Sequence, residues 1–213
     1  MQTSRRPAGI ALLVFTLGTF AALTMGPAPA GNYSLSQIHS YLAPSSRVMI
    51  FAGALIGILA AVALLYYLSA LRADMPPGRG RDLLWGSGIA AAATAAVGWM
   101  IDAAIPLAYA QGGGHVTLTP SVVYAFGNVA SGMVYGPAMI FAGVAVVIGA
   151  RQVRTAPRWW RVLGYLGGGC AILSVAYFPY YLFAAYGVVV AAWGLLAKGG
   201  PVTAPAREPV TAI

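Results

Sequence analysis

Long apolar runs occupy most of the chain and are separated by short polar segments, except at residues 178 and 179, where two runs adjoin. The six runs cover residues 8–25, 48–71, 83–110, 122–150, 159–178 and 179–197. One membrane crossing needs roughly 20 apolar residues, and lipid offers no partner for backbone polar groups, so each run is expected to be an α-helix. The pattern predicts an all-α membrane protein, with a bundle of six transmembrane helices in residues 1–197 and a disordered cytoplasmic tail in residues 198–213.

The basic residues fall almost entirely on one side of such a bundle. The eleven that do so are Arg5, Arg6, Arg72, Arg79, Arg81, Arg151, Arg154, Arg158, Arg161, Lys198 and Arg207. Arg47 alone falls on the other side, at the start of the second helix. Basic residues accumulate in cytoplasmic loops, so both termini are predicted to be cytoplasmic. The excess of Arg over Lys is typical of a GC-rich bacterium, so we expect a multi-pass protein of the bacterial inner membrane.

The first apolar run allows a second interpretation. Arg5 and Arg6 precede it, and the small residues 28–30 follow it, an arrangement also typical of a secretory signal peptide. Cleavage there would remove the first helix. The predicted orientation of the other five helices would stay the same.

Composition supports a membrane protein and excludes several classes. Hydrophobic residues make up 60% of the chain and charged residues 8%, against about a quarter charged in soluble domains. The net charge of +8 comes from the predicted cytoplasmic loops, so no nucleic-acid partner is inferred. The single cysteine, Cys170, excludes an internal disulfide and a metal site built on paired cysteines.

The turn before the fifth helix carries a short recognisable sequence. Residues 157–164 read Pro-Arg-Trp-Trp-Arg-Val-Leu-Gly. This turn resembles the Pro-Arg-Trp turn of actinobacterial six-helix integral membrane proteins, which are families of unknown function. The resemblance extends at most over residues 48–197. It implies a six-helix bundle and assigns no catalytic residue.

Histidines are too few and too scattered for several kinds of chemistry. His39 and His115 both fall in predicted outer loops. A serine nucleophile needs a general base near it, and no later helix supplies one, so a membrane protease is excluded. The same shortage argues against a metalloenzyme or redox enzyme, and no cofactor is predicted.

Asp102 is the only acidic residue within a predicted crossing. An acid at membrane depth is a functional candidate by default. We expect it in the outer leaflet, as a general acid or proton site, because it lies near the end of the third helix. The residues expected to surround it in a ligand-binding pocket are Trp99, Asn128, Ser131, Tyr135, Tyr177 and Tyr181.

Two features bear on how Asp102 is used. Arg47 begins the adjacent second helix and is a candidate structural partner for the carboxylate, which the pair would keep ionised. Small residues at every fourth position also lead up to it, namely Gly86, Ala90, Thr94 and Gly98. Such spacing favours close helix contact in lipid, so Asp102 is expected to face the bundle interior.

Three functions remain open on these grounds. The first is a non-enzymatic protein that handles a small apolar ligand, as a carrier, an immunity protein or a transport subunit. The second is a membrane enzyme resembling a terpene cyclase, in which Asp102 protonates an isoprenoid substrate and aromatic rings stabilise the carbocation. The third is a structural subunit whose small-residue faces bind other membrane proteins.

Overall fold

The computed structural model describes residues 5–25, 34–112, 118–153, 156–176 and 178–196, and this part of the chain is helical with no strand. Its α-helices are α1 (Arg5–Thr24), α2 (Leu35–Tyr41), α3 (Pro44–Ala73), α4 (Arg79–Gln111), α5 (Pro120–Met133), α6 (Met139–Gln152), α7 (Arg158–Ile172) and α8 (Phe178–Leu196). The predicted tail and the candidate cleavage site at residues 28–30 lie outside the described residues.

Five of the helical segments are long and apolar enough to cross a membrane. They are Arg6–Thr24, Pro44–Ala73, Arg79–Gln111, Pro120–Gln152 and Pro179–Leu196. The prediction of a multi-pass, all-helical membrane protein is confirmed at this level. The predicted helix at residues 159–178 is divided into α7, of 15 residues, and a 3₁₀ turn at Leu173–Ala176. That α-helix is shorter than a crossing normally requires.

The long helices contact one another in chain order and close into a ring. α1 packs on α3, α3 on α4, α4 on α5 and α6, α6 on α7, α7 on α8, and α8 returns to α1. The first turns of α1 and α7 line one cavity together with the last turns of α3 and α8. These four ends therefore lie at the same end of the ring, as antiparallel neighbours require.

Glycines set the closest approaches between helices. A Cβ atom at Gly9 would lie 3.0 Å from the carbonyl oxygen of Ala191, and one at Gly143 would meet the backbone of Gly168 at 2.5 Å. At Gly57 the space for a Cβ is taken by the ring of Trp99. Lipid tails are as apolar as the helix surfaces, so backbone proximity and dense packing favour association here.

Aromatic side chains fill the interior of the ring. Phe15, Phe183 and Tyr186 are buried and form a continuous contact, with ring centroids 6.2 Å apart for Phe15–Phe183 and 6.0 Å for Phe183–Tyr186. Large apolar side chains also project outward, such as Leu59 and Leu166. An apolar exterior of this kind matches a lipid environment.

The segment Pro120–Gln152 is bent where α5 meets α6. A π turn occupies Val134–Ala138, and Gly136 within it has non-helical torsions (φ −87°, ψ −107°). Pro137 has no backbone N–H, so a regular α-helix would lose a hydrogen bond here. The chain therefore departs from α-helical geometry at Gly136, one residue before the proline.

The face of small residues on α4 meets another helix over part of its length. A Cβ at Gly98 would lie 2.8 Å from Cγ2 of Val134 and 3.0 Å from the carbonyl oxygen of Ala130. A Cβ at Gly86 would meet nothing within 4 Å. The expected close contact is therefore present at Gly98, against α5, and absent at Gly86.

This contrast gives a matched test on a single helix. Gly98→Ala should lower the free energy of unfolding by about 1–3 kcal/mol, because backbone and buried side chains must move apart. Gly86→Ala should leave it unchanged or raise it by up to about 1 kcal/mol through helix propensity. Unfolding in mixed micelles measures both, and equal effects of the two changes would contradict the packing described.

Candidate functional site

Asp102 lies on α4 between two residues that shape its surroundings. Gly98, one turn before it, packs against Ala130 and Val134. Pro106, one turn after it, is buried inside the helix and has no N–H to give to the carbonyl of Asp102. The partly buried Asp102 therefore lies near a contact with α5, beside a point where the helix loses a backbone hydrogen bond.

Arg47 is engaged elsewhere in this structure. Its Cζ atom lies over the ring of Tyr109, 5.7 Å from the ring centroid, and its buried Nε has no hydrogen-bond partner in the described part of the chain. Arg72 and Asp82 form an ion pair at 3.9 Å, and no ion pair between Arg47 and Asp102 is present among the described residues. The pairing of Arg47 with Asp102 is thus replaced by a cation–π contact, because the Tyr109 ring lies beneath the guanidinium.

The two polar residues of α5 bond to their own helix. Asn128 is exposed, and its Nδ2 donates to the carbonyl oxygen of Tyr124 at 2.8 Å. The hydroxyl of Ser131 donates to the carbonyl oxygen of Gly127 at 2.9 Å. Small polar side chains commonly satisfy themselves in this way within a helix. Neither donates a hydrogen bond to Asp102.

The aromatic residues predicted to surround Asp102 make contacts in different parts of the bundle. Trp99 is buried against Gly57, in the interface of α3 and α4. Tyr135 meets Tyr180 edge-to-face with centroids 5.3 Å apart, and Tyr180 meets the exposed Tyr181 at 5.9 Å. Tyr177 lies outside the described residues. The Tyr135–Tyr180 contact joins the π turn to α8.

The chain offers few groups for a metal ion or cofactor. Among the described residues, no three His, Cys, Asp or Glu side chains come close enough together to hold a metal ion. Asp102 therefore stands as a single carboxyl group, and the chemistry open to it is proton exchange or a hydrogen bond to a ligand.

Comparisons with family models, curated proteins and solved structures give no match to this chain. The resemblance of the turn at residues 157–164 to actinobacterial membrane proteins accordingly stays a prediction.

The alternative partners of Arg47 can be compared by double-mutant cycles. Arg47→Met combined with Tyr109→Leu should give a coupling energy of about 0.5–1 kcal/mol, the usual worth of a cation–π contact. Arg47→Met combined with Asp102→Asn should give a coupling within about 0.5 kcal/mol of zero, because no ion pair is lost. The free energy of unfolding in micelles is the measurement, and a larger Arg47–Asp102 coupling would refute the contact described.

Proposed function

We propose that the chain crosses the bacterial inner membrane six times, with both termini in the cytoplasm. Five candidate spans come from length and hydropathy, and α7 with its 3₁₀ turn supplies the sixth. Its 15 α-helical and 4 3₁₀ residues rise about 1.5 Å and 2.0 Å each, which gives roughly 30 Å, the thickness of the hydrocarbon core. The basic residues in the turn between α3 and α4 and in the turn between α6 and α7 favour the cytoplasm for that end of the bundle.

Within this bundle, we propose that the protein is a carrier for a small apolar molecule and that Asp102 links its movement to proton exchange. The observation that carries this proposal is a partly buried carboxyl within a candidate span that has no ion-pair partner among the described residues. A carboxyl at membrane depth is costly to keep and typically serves proton or substrate movement.

In this proposal, the bent segment that packs against α4 contains a hinge. Gly136 and Pro137 interrupt α-helical geometry at the π turn, where α4 packs against the bent segment. π turns and proline breaks are frequent at functional sites and hinges. In this proposal α5 pivots about Gly136 and Pro137, and the protonation state of Asp102 favours one of two positions of α5.

The surroundings of Asp102 favour a carrier over an acid-initiated cyclase. A cyclase needs aromatic faces around the acid, where they stabilise a carbocation. Here the Trp99 ring packs against Gly57, and Tyr181 is exposed on α8. A purely structural subunit does not require an acid without an ion-pair partner at this position. The structural alternative therefore explains Asp102 less well than a carrier does.

The proposal predicts that access to α5 depends on pH through Asp102. Cys170 is replaced by Ala, and a single cysteine is placed at Ser131, with a second protein carrying one at Ser121 as a reference for thiol reactivity. The labelling rate at residue 131, divided by that at residue 121, should change between acidic and alkaline pH in proteoliposomes. A difference of one pK unit between two states shifts their populations by about tenfold.

The discriminating variant is Asp102→Asn, which keeps the shape of the side chain and removes the exchangeable proton. Its labelling ratio should no longer respond to pH. Asp82→Asn is the matched control, because Asp82 is exposed at the start of the same helix, and its ratio should follow that of the parent protein. A parent ratio that is constant with pH, or a pH response retained by Asp102→Asn, would reject proton-linked movement.

A further inference from the structure

A groove lies on the outer surface of the bundle, between the first part of α4 and the beginning of α6. Its volume is about 550 Å³, and the residues that line it include Arg79, Asp82, Gly86, Ala90 and Phe141. A Cβ atom at Gly86 would meet nothing within 4 Å, and Phe141 is 38% exposed. This α4–α6 groove is therefore open toward the lipid.

The α4–α6 groove is about as long as one leaflet of a membrane is thick. Ala90 lies eleven residues after Arg79, the first residue of α4, which corresponds to roughly 16 Å of helix. Phe141 lies eleven residues before Gln152, the last residue of α6, and the side chain of Gln152 fills the space that a Cβ at Gly80 would take. The start of α4 and the end of α6 are thus level. One leaflet of the hydrocarbon core is about 15 Å thick, so the groove matches the length of an acyl chain and only half the length of a transmembrane helix.

Arg79 gives the mouth of the groove a positive charge that no neighbouring acid offsets. The acidic residue of the groove wall is Asp82, and its carboxylate lies 3.9 Å from the guanidinium of Arg72. No ion pair of Arg79 is present in the part of the chain that the structure describes, and its side chain is exposed. The guanidinium of Arg72 also lies 5.4 Å from the ring centroid of Trp85, and tryptophan prefers the level of the lipid headgroups. The charge of Arg79 therefore lies where a headgroup phosphate would meet it.

We propose that the α4–α6 groove binds one anionic phospholipid. The guanidinium of Arg79 donates hydrogen bonds to the phosphate, and one acyl chain lies against Gly86 and Ala90. Guanidinium groups pair well with phosphate oxygens, and basic pockets between transmembrane helices bind anionic headgroups. A lipid without a headgroup cation is favoured, because an added ammonium would be repelled by Arg72 and Arg79. The site requires α4 to lie in a membrane and does not involve Asp102, so it is separate from the proposed carrier function.

Native mass spectrometry of the full chain in detergent micelles tests the headgroup contact. The dissociation constant of the first bound lipid is measured for phosphatidylglycerol and for phosphatidylcholine with the same acyl chains, and phosphatidylglycerol should bind several-fold more tightly. Arg79→Gln should raise the constant for phosphatidylglycerol about tenfold, the loss expected when a hydrogen bond to a charged group is removed. Arg158→Gln is the control, because Arg158 is an exposed basic residue at the same end of the bundle and outside the groove. Its constant should equal that of the parent protein.

A second variant tests the contact with the acyl chain. Gly86→Leu places a side chain in the groove and should fold normally, because a Cβ there meets nothing within 4 Å. It should raise the dissociation constant for phosphatidylglycerol several-fold. Gly132→Leu is the matched control, since Gly132 is exposed on α5 and a Cβ there also meets nothing within 4 Å. This control should keep the constant of the parent protein.

Four results would overturn the proposal. Two of them are a constant for phosphatidylglycerol that is unchanged in Arg79→Gln, and one that is unchanged in folded Gly86→Leu. The third is equal competition by water-soluble glycerol phosphate, which would indicate a site for free phosphate. The fourth is a lipid-free dimer of the parent protein that Gly86→Leu abolishes, which would make the groove a contact between two copies of the chain. The measurement concerns lipid binding alone, so its outcome is independent of proton-linked movement.

Discussion

Close approach of helix backbones is the constraint on which the rest of the structure depends. In a bilayer, apolar side chains gain little by leaving lipid for another helix, so association depends on dense contact between small residues. The first and last helices meet in this way, with Gly9 against Ala191 and Gly194. That contact turns a row of antiparallel helices into a ring, and the ring creates an interior that lipid does not reach.

Polar side chains and irregular backbone lie where other parts of the protein, rather than lipid, surround them. Aromatic rings from α1, α3 and α8 belong to the buried core of the ring, and Tyr67 borders the cavity at one end. Toward the other end, Pro106 is buried within α4, and Pro137 interrupts the bent segment that packs against α4. Backbone irregularity at membrane depth is acceptable where protein covers it, and Asp102 lies next to this covered region.

The helices could be predicted from sequence because apolar runs are long and bounded by basic turns. Four of the predicted helices begin two to four residues earlier than predicted and end within two residues of the predicted limit, since hydropathy marks the lipid-facing length rather than the hydrogen-bonded length. The apolar pattern predicts a loop where α2 lies, although Ser34 and Gln37 form a capping box, a signal that sequence can reveal. The division of the fifth run into α7 and a 3₁₀ turn has no clear signature in hydropathy.

The arrangement of the site could be predicted only in part. The spacing of residues along a helix shows which of them share a face, but it does not show which helix or side chain that face contacts. The close packing of Gly98 against another helix followed from small-residue spacing, but the spacing did not name α5 as that helix. The spacing did not reveal that Trp99 turns toward Gly57, or that Asn128 and Ser131 bond to their own helix. The sequence makes Arg47 a candidate ion-pair partner of Asp102, but the guanidinium of Arg47 instead lies over the ring of Tyr109.

The closure of α1 against α8 is the central claim, and a cysteine pair tests it directly. With Cys170 replaced by Ala, cysteines at Gly9 and Gly194 should form a disulfide on mild oxidation in membranes, because a Cβ at residue 9 lies 3.4 Å from the Cα atom of Gly194. Such a bond places residues 9 and 194 on the same side of the membrane, which requires the chain to cross the membrane an even number of times between them. Cysteines at Ile10 and Gly194 should not cross-link, since Ile10 is 52% exposed. Failure of the first pair to form a disulfide, or equal cross-linking of both pairs, would contradict the ring.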